Sequence, residues 1–156
     1  MATTTISPSK EKGRESAAKN KEVVKRYLEE GSKNWSVMEE CVAEDCVMHF
    51  AGIPEPIVGK HGHRALWDQF HRAFPNIETK IQFLVGEGDQ VAASFTSEAI
   101  QKGEFMGIPA SGRRAKASGT SFLRIKDGKI VEDYSSLDQL GLLQQLGGLQ
   151  SPGQKM

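Results

Sequence analysis

The sequence has few cysteines, no net charge and no long apolar run. Cys41 and Cys46 are its only cysteines, so it does not predict a disulfide framework. Its 20 basic residues balance 20 acidic ones, which removes the attraction on which nonspecific nucleic-acid binding depends. The first 20 residues have no apolar stretch typical of a secretory signal or a membrane anchor, so we expect a cytoplasmic protein.

A chain of 156 residues indicates a single domain with one core. We expect a flexible, polar N-terminal arm over residues 1–18 and a loose, glycine-containing tail over residues 148–156. The folded domain then spans residues 19–147. No internal repeat predicts a solenoid or a propeller.

Apolar residues recur at helical spacing in four segments of the chain. The first predicted helix begins at Asn20 as N-cap and ends before Gly31, and the third ends at Pro75. The four predicted helices cover about residues 20–30, 35–42, 62–74 and 137–146.

The second half of the chain changes to the alternating pattern of strands. Asp127-Gly128 is a two-residue hairpin signal that pairs Ile125 with Ile130. Helices followed by antiparallel strands predict an α+β fold in which the helices pack against one curved sheet. The predicted strands cover about residues 46–50, 81–85, 91–103, 115–126 and 129–136.

The hairpin register predicts a pocket floor near the end of the last strand. Stepping back by twos from Ile125 brings small residues opposite Tyr134, Ser136 and Asp138. Space beside a partly desolvated carboxylate suits a general base. Asp138 also precedes the last helix, where Asp commonly serves as N-cap, so both interpretations stay open.

Several histidines, a tyrosine and a glycine-rich loop are further candidates for a functional site. Histidine is the residue type whose unperturbed pKa lies nearest physiological pH, which makes His49 a candidate for proton transfer. Tyr134 can donate a hydrogen bond to an oxyanion, although both residue types also occur as ordinary strand and core residues. His61, His63 and His71 do not form a known zinc motif, and we predict no metal site. The glycines between residues 103 and 112 do not match a phosphate-binding loop.

Several segments in a fixed order carry a resemblance to a known family. On them, over about residues 20–147, the sequence resembles the SnoaL-like polyketide cyclase and ester cyclase family of the nuclear transport factor 2-like superfamily. These segments are Glu44–His49, Ala73–Asn76, Gly86–Ala92, Lys102–Arg113, Arg124–Glu132, Asp138 and Leu142–Gly147.

The resemblance implies a cone-shaped α+β barrel, in which a strongly curved antiparallel sheet and three to four helices surround an interior apolar pocket. It also implies a homodimer and no cofactor. In characterised polyketide cyclases, an Asp at the position matched by Asp138 removes a substrate proton, and the resulting enolate closes a ring by aldol addition. The resemblance therefore implies that Asp138 acts as base and acid.

The sequence departs from many relatives at two positions near the expected pocket. Gln101 stands where they carry a His before the Lys-Gly-Glu-Phe segment, and Tyr134 stands where they carry a Trp. A neutral amide can donate a hydrogen bond, but it cannot take up a proton at ordinary pH. Any proton transfer by that His is therefore lost here.

Our leading hypothesis is cofactor-independent acid/base catalysis on a small, largely apolar carbonyl compound, by aldol cyclisation or isomerisation. Asp138 and His49 are the catalytic candidates. A noncatalytic ligand-binding or dimerisation module, and a hydrolase that uses an Asp-activated water, remain the alternatives. The candidates for substrate binding are Gln101, Tyr134, Trp67, Phe70, Phe105, Met106 and Phe122.

Overall fold

The computed structural model describes residues 7–149; the outermost parts of the predicted arm and tail, residues 1–6 and 150–156, lie outside the described residues. In that range, none of the helices is both long and apolar enough to cross a membrane. The helices are α1 (Pro8–Lys25), α2 (Trp35–Cys41), α3 (Gly59–Ala73) and α4 (Gln139–Gln145). The strands are β1 (Val42–Phe50), β2 (Ile57–Val58), β3 (Glu78–Glu87), β4 (Gln90–Ile100), β5 (Arg114–Lys126) and β6 (Lys129–Leu137).

The six strands form one curved sheet that does not close on itself, in the order β2-β1-β6-β5-β4-β3. The predicted α+β class, with helices packed around a curved sheet, is confirmed. The sheet is not wholly antiparallel as expected, because β1 and β6 pair in parallel. Parallel neighbours need a long connection. Here the connection is the whole segment from β2 to β5, including α3.

The first helix begins earlier than predicted. Pro8 occupies the first turn of α1, where a missing N–H costs nothing, whereas we had placed the start at Asn20. Asn20 instead donates a side-chain hydrogen bond to the Gly88 carbonyl at 3.2 Å. Residues 8–18, which we expected to form a flexible arm, are helical and mostly exposed. The flexibility of the arm stays a prediction.

A π-helical turn at Arg26–Glu30 follows α1. The Gly31 N–H donates to the Arg26 carbonyl at 2.9 Å, which is the five-residue spacing of a π turn. A Cβ at Gly31 would collide with the Tyr27 carbonyl oxygen, so this turn requires glycine. The turn ends α1 with Tyr27 and Leu28 both buried.

The hairpin between β5 and β6 forms at the predicted turn, with Ile125 opposite Ile130. Asp127 and Gly128 have φ values of 51° and 74°, as a type I′ turn requires. The pairing then shifts at a β-bulge, because Arg124 lies opposite Glu132 and Val131 is the extra residue. Every later residue of β6 consequently faces the side opposite to the one we predicted.

Candidate active site

A cavity of about 170 Å³ lies between the inner face of the sheet and the helices. Its wall is mainly apolar, and no Asp, Glu, Lys or Arg is among the described residues that line it. An apolar cavity of about 150 Å³ holds a benzene ring, so this space suits a ring-sized, uncharged group. The apolar lining residues are Leu28, Met38, Met48, Phe50, Leu66, Trp67, Phe70, Ile77, Phe95 and Leu137.

Polar groups in the cavity wall come from the π turn, α3 and the inner face of the sheet. Tyr27, His63, Ser121 and Ser135 all line the cavity, and Tyr27 and His63 are 3% and 4% exposed. Behind them lies Asp133, which is 1% exposed and does not itself line the cavity. Asp133 and Ser135 face inward because of the bulge at Val131.

A continuous hydrogen-bond network joins these groups through Asp133. The Tyr27 hydroxyl donates to Asp133 Oδ2 at 2.8 Å, and the Ser135 hydroxyl donates to Oδ1 at 2.5 Å. On one side, His63 Nε2 lies 3.0 Å from the Tyr27 oxygen. On the other, the Ser121 and Ser135 oxygens lie 2.7 Å apart. A carboxylate in an apolar interior is tolerable only with partners of this kind.

Burial shifts the pKa values of Asp133, His63 and Tyr27 in the directions that favour their uncharged forms. It raises the pKa of Asp133 to about 6, although the hydrogen bonds from Ser135 and Tyr27 act in the opposite direction. Burial also lowers the pKa of His63 to about 4. The pKa of Tyr27 is raised well above its ordinary value, by burial and then by the neighbouring Asp133 charge. Asp133 is therefore the member that exchanges a proton nearest to neutral pH.

Because Tyr27 keeps its proton and His63 is neutral at ordinary pH, the donor and acceptor in each hydrogen bond of the Tyr27 branch can be assigned. Tyr27 donates its proton to Asp133, so its oxygen accepts from Nε2–H of neutral His63. His63 Nδ1 then lacks a proton and faces the Cys46 sulfur at 4.0 Å. The Tyr27 branch of the network therefore ends at a buried thiol.

The part of the cavity wall that α3 forms is fixed to the loop that follows the π turn. Trp67 Nε1–H donates to the Gly31 carbonyl at 3.1 Å, and His71 Nε2 lies 2.8 Å from the Ser32 carbonyl. The Trp67 and His71 rings stack with centroids 3.4 Å apart. These contacts hold Trp67 and His71 in place beside the cavity.

The structure places several sequence-predicted site residues on the outer surface. Asp138 is exposed, and its carboxylate accepts from the Gly141 N–H at 2.9 Å as the N-cap of α4. Tyr134 and Phe122 are 48% and 63% exposed and pair across the outer sheet face. His49 stacks on Tyr134 with ring centroids 4.2 Å apart. The expected pocket position of Asp138 and Tyr134 is wrong, because the bulge reverses β6.

The remaining candidates divide between the cavity wall and the loop at residues 101–113. Trp67 and Phe70 line the cavity. Phe105 packs against Phe70 and Phe74 outside it, and Met106 is 59% exposed. The buried Gln101 amide donates to the Gly103 and Ile108 carbonyls and accepts from Ser111. Gln101 therefore holds this loop in place and does not line the cavity.

Sequence reasoning missed Asp133, Tyr27 and Ser135, and it considered His63 only as part of a metal-site fragment. Tyr27 has an ordinary core spacing in the first predicted helix, so its hydroxyl carried no separate signal. Among residues 7–149, no three His, Cys, Asp or Glu side chains lie close enough to hold a metal ion. His63 instead bonds to Tyr27.

A curved sheet and helices that enclose an apolar cavity, with a buried acid–base network in its wall, define a small-molecule pocket of the α+β cone type. The sequence model of the SnoaL-like polyketide cyclases matches residues 21–146. The chain belongs to this family, as the resemblance predicted. No curated protein matches the chain significantly.

Solved structures of similar proteins agree with this assignment. AclR from Streptomyces galilaeus, named as a candidate hydroxylase, is 26% identical, with 86% of this chain and 85% of that one covered at a TM-score of 0.77. IdmH from Streptomyces antibioticus, a candidate polyketide cyclase, is also 26% identical, with 82% and 98% covered and a TM-score of 0.74. A SnoaL-like protein from Jannaschia sp. CCS1 is 22% identical, with 94% and 99% covered at 0.78, and it supports the fold alone.

Proposed function

We propose that this protein is a cofactor-independent acid/base catalyst that enolises a small, largely apolar carbonyl compound, for aldol cyclisation or isomerisation. One observation carries the proposal: Asp133, a buried carboxyl group with a pKa of about 6, is hydrogen-bonded to hydroxyl groups that line an apolar cavity. A group that exchanges its proton near the working pH is the most effective general acid/base.

The cavity wall favours an uncharged substrate. A charged ligand would leave water for a space whose described lining has no charged partner, at a cost of several kcal/mol. A carbonyl or enolate oxygen, by contrast, can accept a hydrogen bond from a hydroxyl group of the wall, and the Ser121 proton becomes free to donate when Asp133 is protonated. Donors placed where charge develops stabilise an enolate most when water is excluded.

Asp133 takes the role that the family resemblance assigned to Asp138. Asp133 lies in the middle of β6 and Asp138 directly follows it, but only Asp133 is buried and connected to groups in the cavity wall. Asp138 is engaged as a helix cap. Hydrolysis by an Asp-activated water is less well supported, since both oxygens of Asp133 already accept from hydroxyl groups.

The proposal is tested by deuterium exchange from D₂O into the α-carbon of cyclohexanone and acetophenone, followed by NMR. Enolisation is the step shared by aldol cyclisation and isomerisation, so the assay does not require the natural substrate. Asp133→Asn is expected to reduce the protein-dependent rate by about 10²-fold or more, because it removes the proton acceptor while keeping the shape. Asp138→Asn, which keeps the cap, is the matched control and should exchange at the parent rate.

Two outcomes would contradict this assignment. Loss of exchange in Asp138→Asn with normal exchange in Asp133→Asn would restore Asp138 as the acid/base group. Binding of both ketones by the parent, seen as a change in intrinsic tryptophan fluorescence, without any exchange would indicate a noncatalytic binding module.

A further inference from the structure

Asp133 does not reach the cavity directly, so a proton must pass between it and a ligand through a side chain that does. Oδ1 and Oδ2 are each covered by a hydroxyl group, from Ser135 and Tyr27. Tyr27 and Ser135 also line the cavity, but each hydroxyl group is held between two side chains. Tyr27 lies between Asp133 and His63, and that branch continues to the Cys46 thiol, whereas Ser135 lies between Asp133 and Ser121. The Ser135 branch continues to Ser121, whose side chain lines the cavity.

We propose that Ser135 and Ser121 form a two-hydroxyl proton relay that connects Asp133 to the ligand, with Ser121 as the group that contacts the ligand oxygen. This inference rests on the proposed function and names the route by which the same site delivers its proton. The two serines are cross-strand partners on β5 and β6, so the sheet register sets the distance between them.

The direction of hydrogen bonding in the relay depends on the protonation of Asp133. With the carboxylate ionised, Ser135 donates to Asp133 and Ser121 donates to Ser135, so Ser121 presents only lone pairs to the cavity. With the carboxyl protonated, Asp133 donates to Ser135 and Ser135 donates to Ser121. The Ser121 O–H is then free to donate to a ligand in the cavity.

The transfer step is balanced without any other reactant. The Asp133 proton moves to the Ser135 oxygen, the Ser135 proton moves to the Ser121 oxygen, and the Ser121 proton moves to an enolate oxygen. Asp133 becomes a carboxylate and the enolate becomes a neutral enol, while both serines remain neutral hydroxyls. The enolate arises by the same route run in reverse: the α-carbon C–H bond of the ketone breaks, its proton moves to the Ser121 oxygen, the Ser121 proton moves to the Ser135 oxygen, and the Ser135 proton moves to the Asp133 carboxylate.

The adjacent residues on the same strands provide a matched control. Thr120 and Ser136 form a hydroxyl pair at 3.1 Å, but they are exposed on the outer face of the sheet. Ser136→Ala therefore removes one hydroxyl group from β6 without touching the cavity. It should exchange deuterium into acetophenone at the parent rate.

The experiment measures this exchange under acetophenone saturation for Ser121→Ala, Ser135→Ala, Ser121→Thr and Ser136→Ala. Ser121→Ala and Ser135→Ala are expected to lose about tenfold or more in kcat, whereas Ser121→Thr, which restores a hydroxyl group, should stay within about threefold of the parent. The acetophenone Kd, measured by intrinsic tryptophan fluorescence, should change much less than kcat. That split separates proton delivery from a packing role.

Three outcomes would overturn the relay. Normal kcat in Ser121→Ala together with a lost rate in Asp133→Asn would leave the acid/base role of Asp133 intact and show that its proton takes another route. Equal losses in Ser121→Thr and Ser121→Ala would show that the hydroxyl group is not what matters. Normal rates in Asp133→Asn and both alanine variants would contradict the proposed function itself.

Discussion

Asp133 and His63 impose opposite pH dependences on the stability of the fold. The pKa of Asp133 rises from 3.8 to about 6 on folding, so the contribution of Asp133 to stability is fully present below pH 3.8 and is lost as the pH rises through 6. The pKa of His63 falls from 6.5 to about 4, so its contribution is present above pH 6.5 and is lost as the pH falls through 4. Between these limits the two effects largely cancel.

Single substitutions should separate the two effects. Relative to the parent, the free energy of unfolding of Asp133→Asn is expected to increase by about 3 kcal/mol between pH 4 and pH 7, because the cost of ionising a buried carboxyl is gone. For His63→Gln, the free energy of unfolding relative to the parent should increase by about 3 kcal/mol as the pH falls from 7 to 4. Urea unfolding of both variants and the parent across this range measures both trends.

Asp138→Asn is the control for this series. Its side chain is exposed and caps α4, so its difference from the parent should vary little with pH. A flat difference for Asp133→Asn would mean that its carboxyl titrates in the folded state as it does in water, and the burial argument would fail.

At the scale of the element, one β-bulge decides which side chains of the last strand reach the cavity. The Asp127-Gly128 turn and the Ile125–Ile130 pair were predictable, because a two-residue turn has few geometries. The extra residue at Val131 was not, since no glycine or proline marks it and both faces of β6 carry polar residues. Because of this one-residue slip, Asp133 and Ser135 face inward, whereas we had predicted that Tyr134 and Asp138 would.

Helix ends were predictable only where a residue type enforces them. Phe74-Pro75 stops α3, and Gly31 ends the first helix as expected. The start at Pro8 was missed, because the mostly polar sequence of residues 8–18 lacks the apolar periodicity by which we recognised helices. The cavity wall at Trp67 and Phe70 followed from helical periodicity, whereas the network of Tyr27 and Asp133 depends on tertiary contacts that periodicity does not encode.

The inner face of the sheet depends on a close approach between β4 and β5. Phe95 lies over Gly119, and a Cβ there would come within 2.5 Å of the Phe95 ring. Gly119→Ala is therefore expected to push Phe95 toward the cavity and to reduce stability by about 1–3 kcal/mol. Thermal or urea unfolding measures the loss, and intrinsic tryptophan fluorescence reports whether the cavity still accepts acetophenone.

Gly13→Ala is the companion variant, since nothing lies within 4 Å of a Cβ at this helical position. It should leave stability unchanged or raise it by about 0.5–1 kcal/mol, as glycine-to-alanine changes in helices do. Parent-like stability in Gly119→Ala would show that Phe95 has room to move.

At the scale of the whole molecule, the outer face of the sheet exposes large apolar side chains. Phe83, Val85 and Phe122 are 73%, 63% and 63% exposed, with Tyr134 beside them at 48%. Apolar groups clustered on one face are typical of an interaction surface. We expect two copies of the chain to pack these faces together, in the homodimer that the family resemblance implies.

Phe122→Glu should convert this dimer to a monomer, because a charge would be buried twice at a symmetric interface. Leu140→Glu is the control, since Leu140 is similarly exposed on α4 but lies away from the sheet. Sedimentation velocity at micromolar concentration should give twice the chain mass for the parent and Leu140→Glu. A parent that sediments as a monomer would contradict the prediction.

The parallel pairing of β1 with β6 also fixes when the cavity can form during synthesis. Tyr27 and Asp133 are separated by 106 positions, which a ribosome at about 5–20 residues per second takes roughly 5–20 s to add. From the synthesis of β2 until that of β6, β1 has only the two-residue β2 as a neighbour, so its other edge is an open template for wrong pairing. Every nascent chain passes through this state, and ribosome-associated chaperones that cover strand edges would act before β6 emerges.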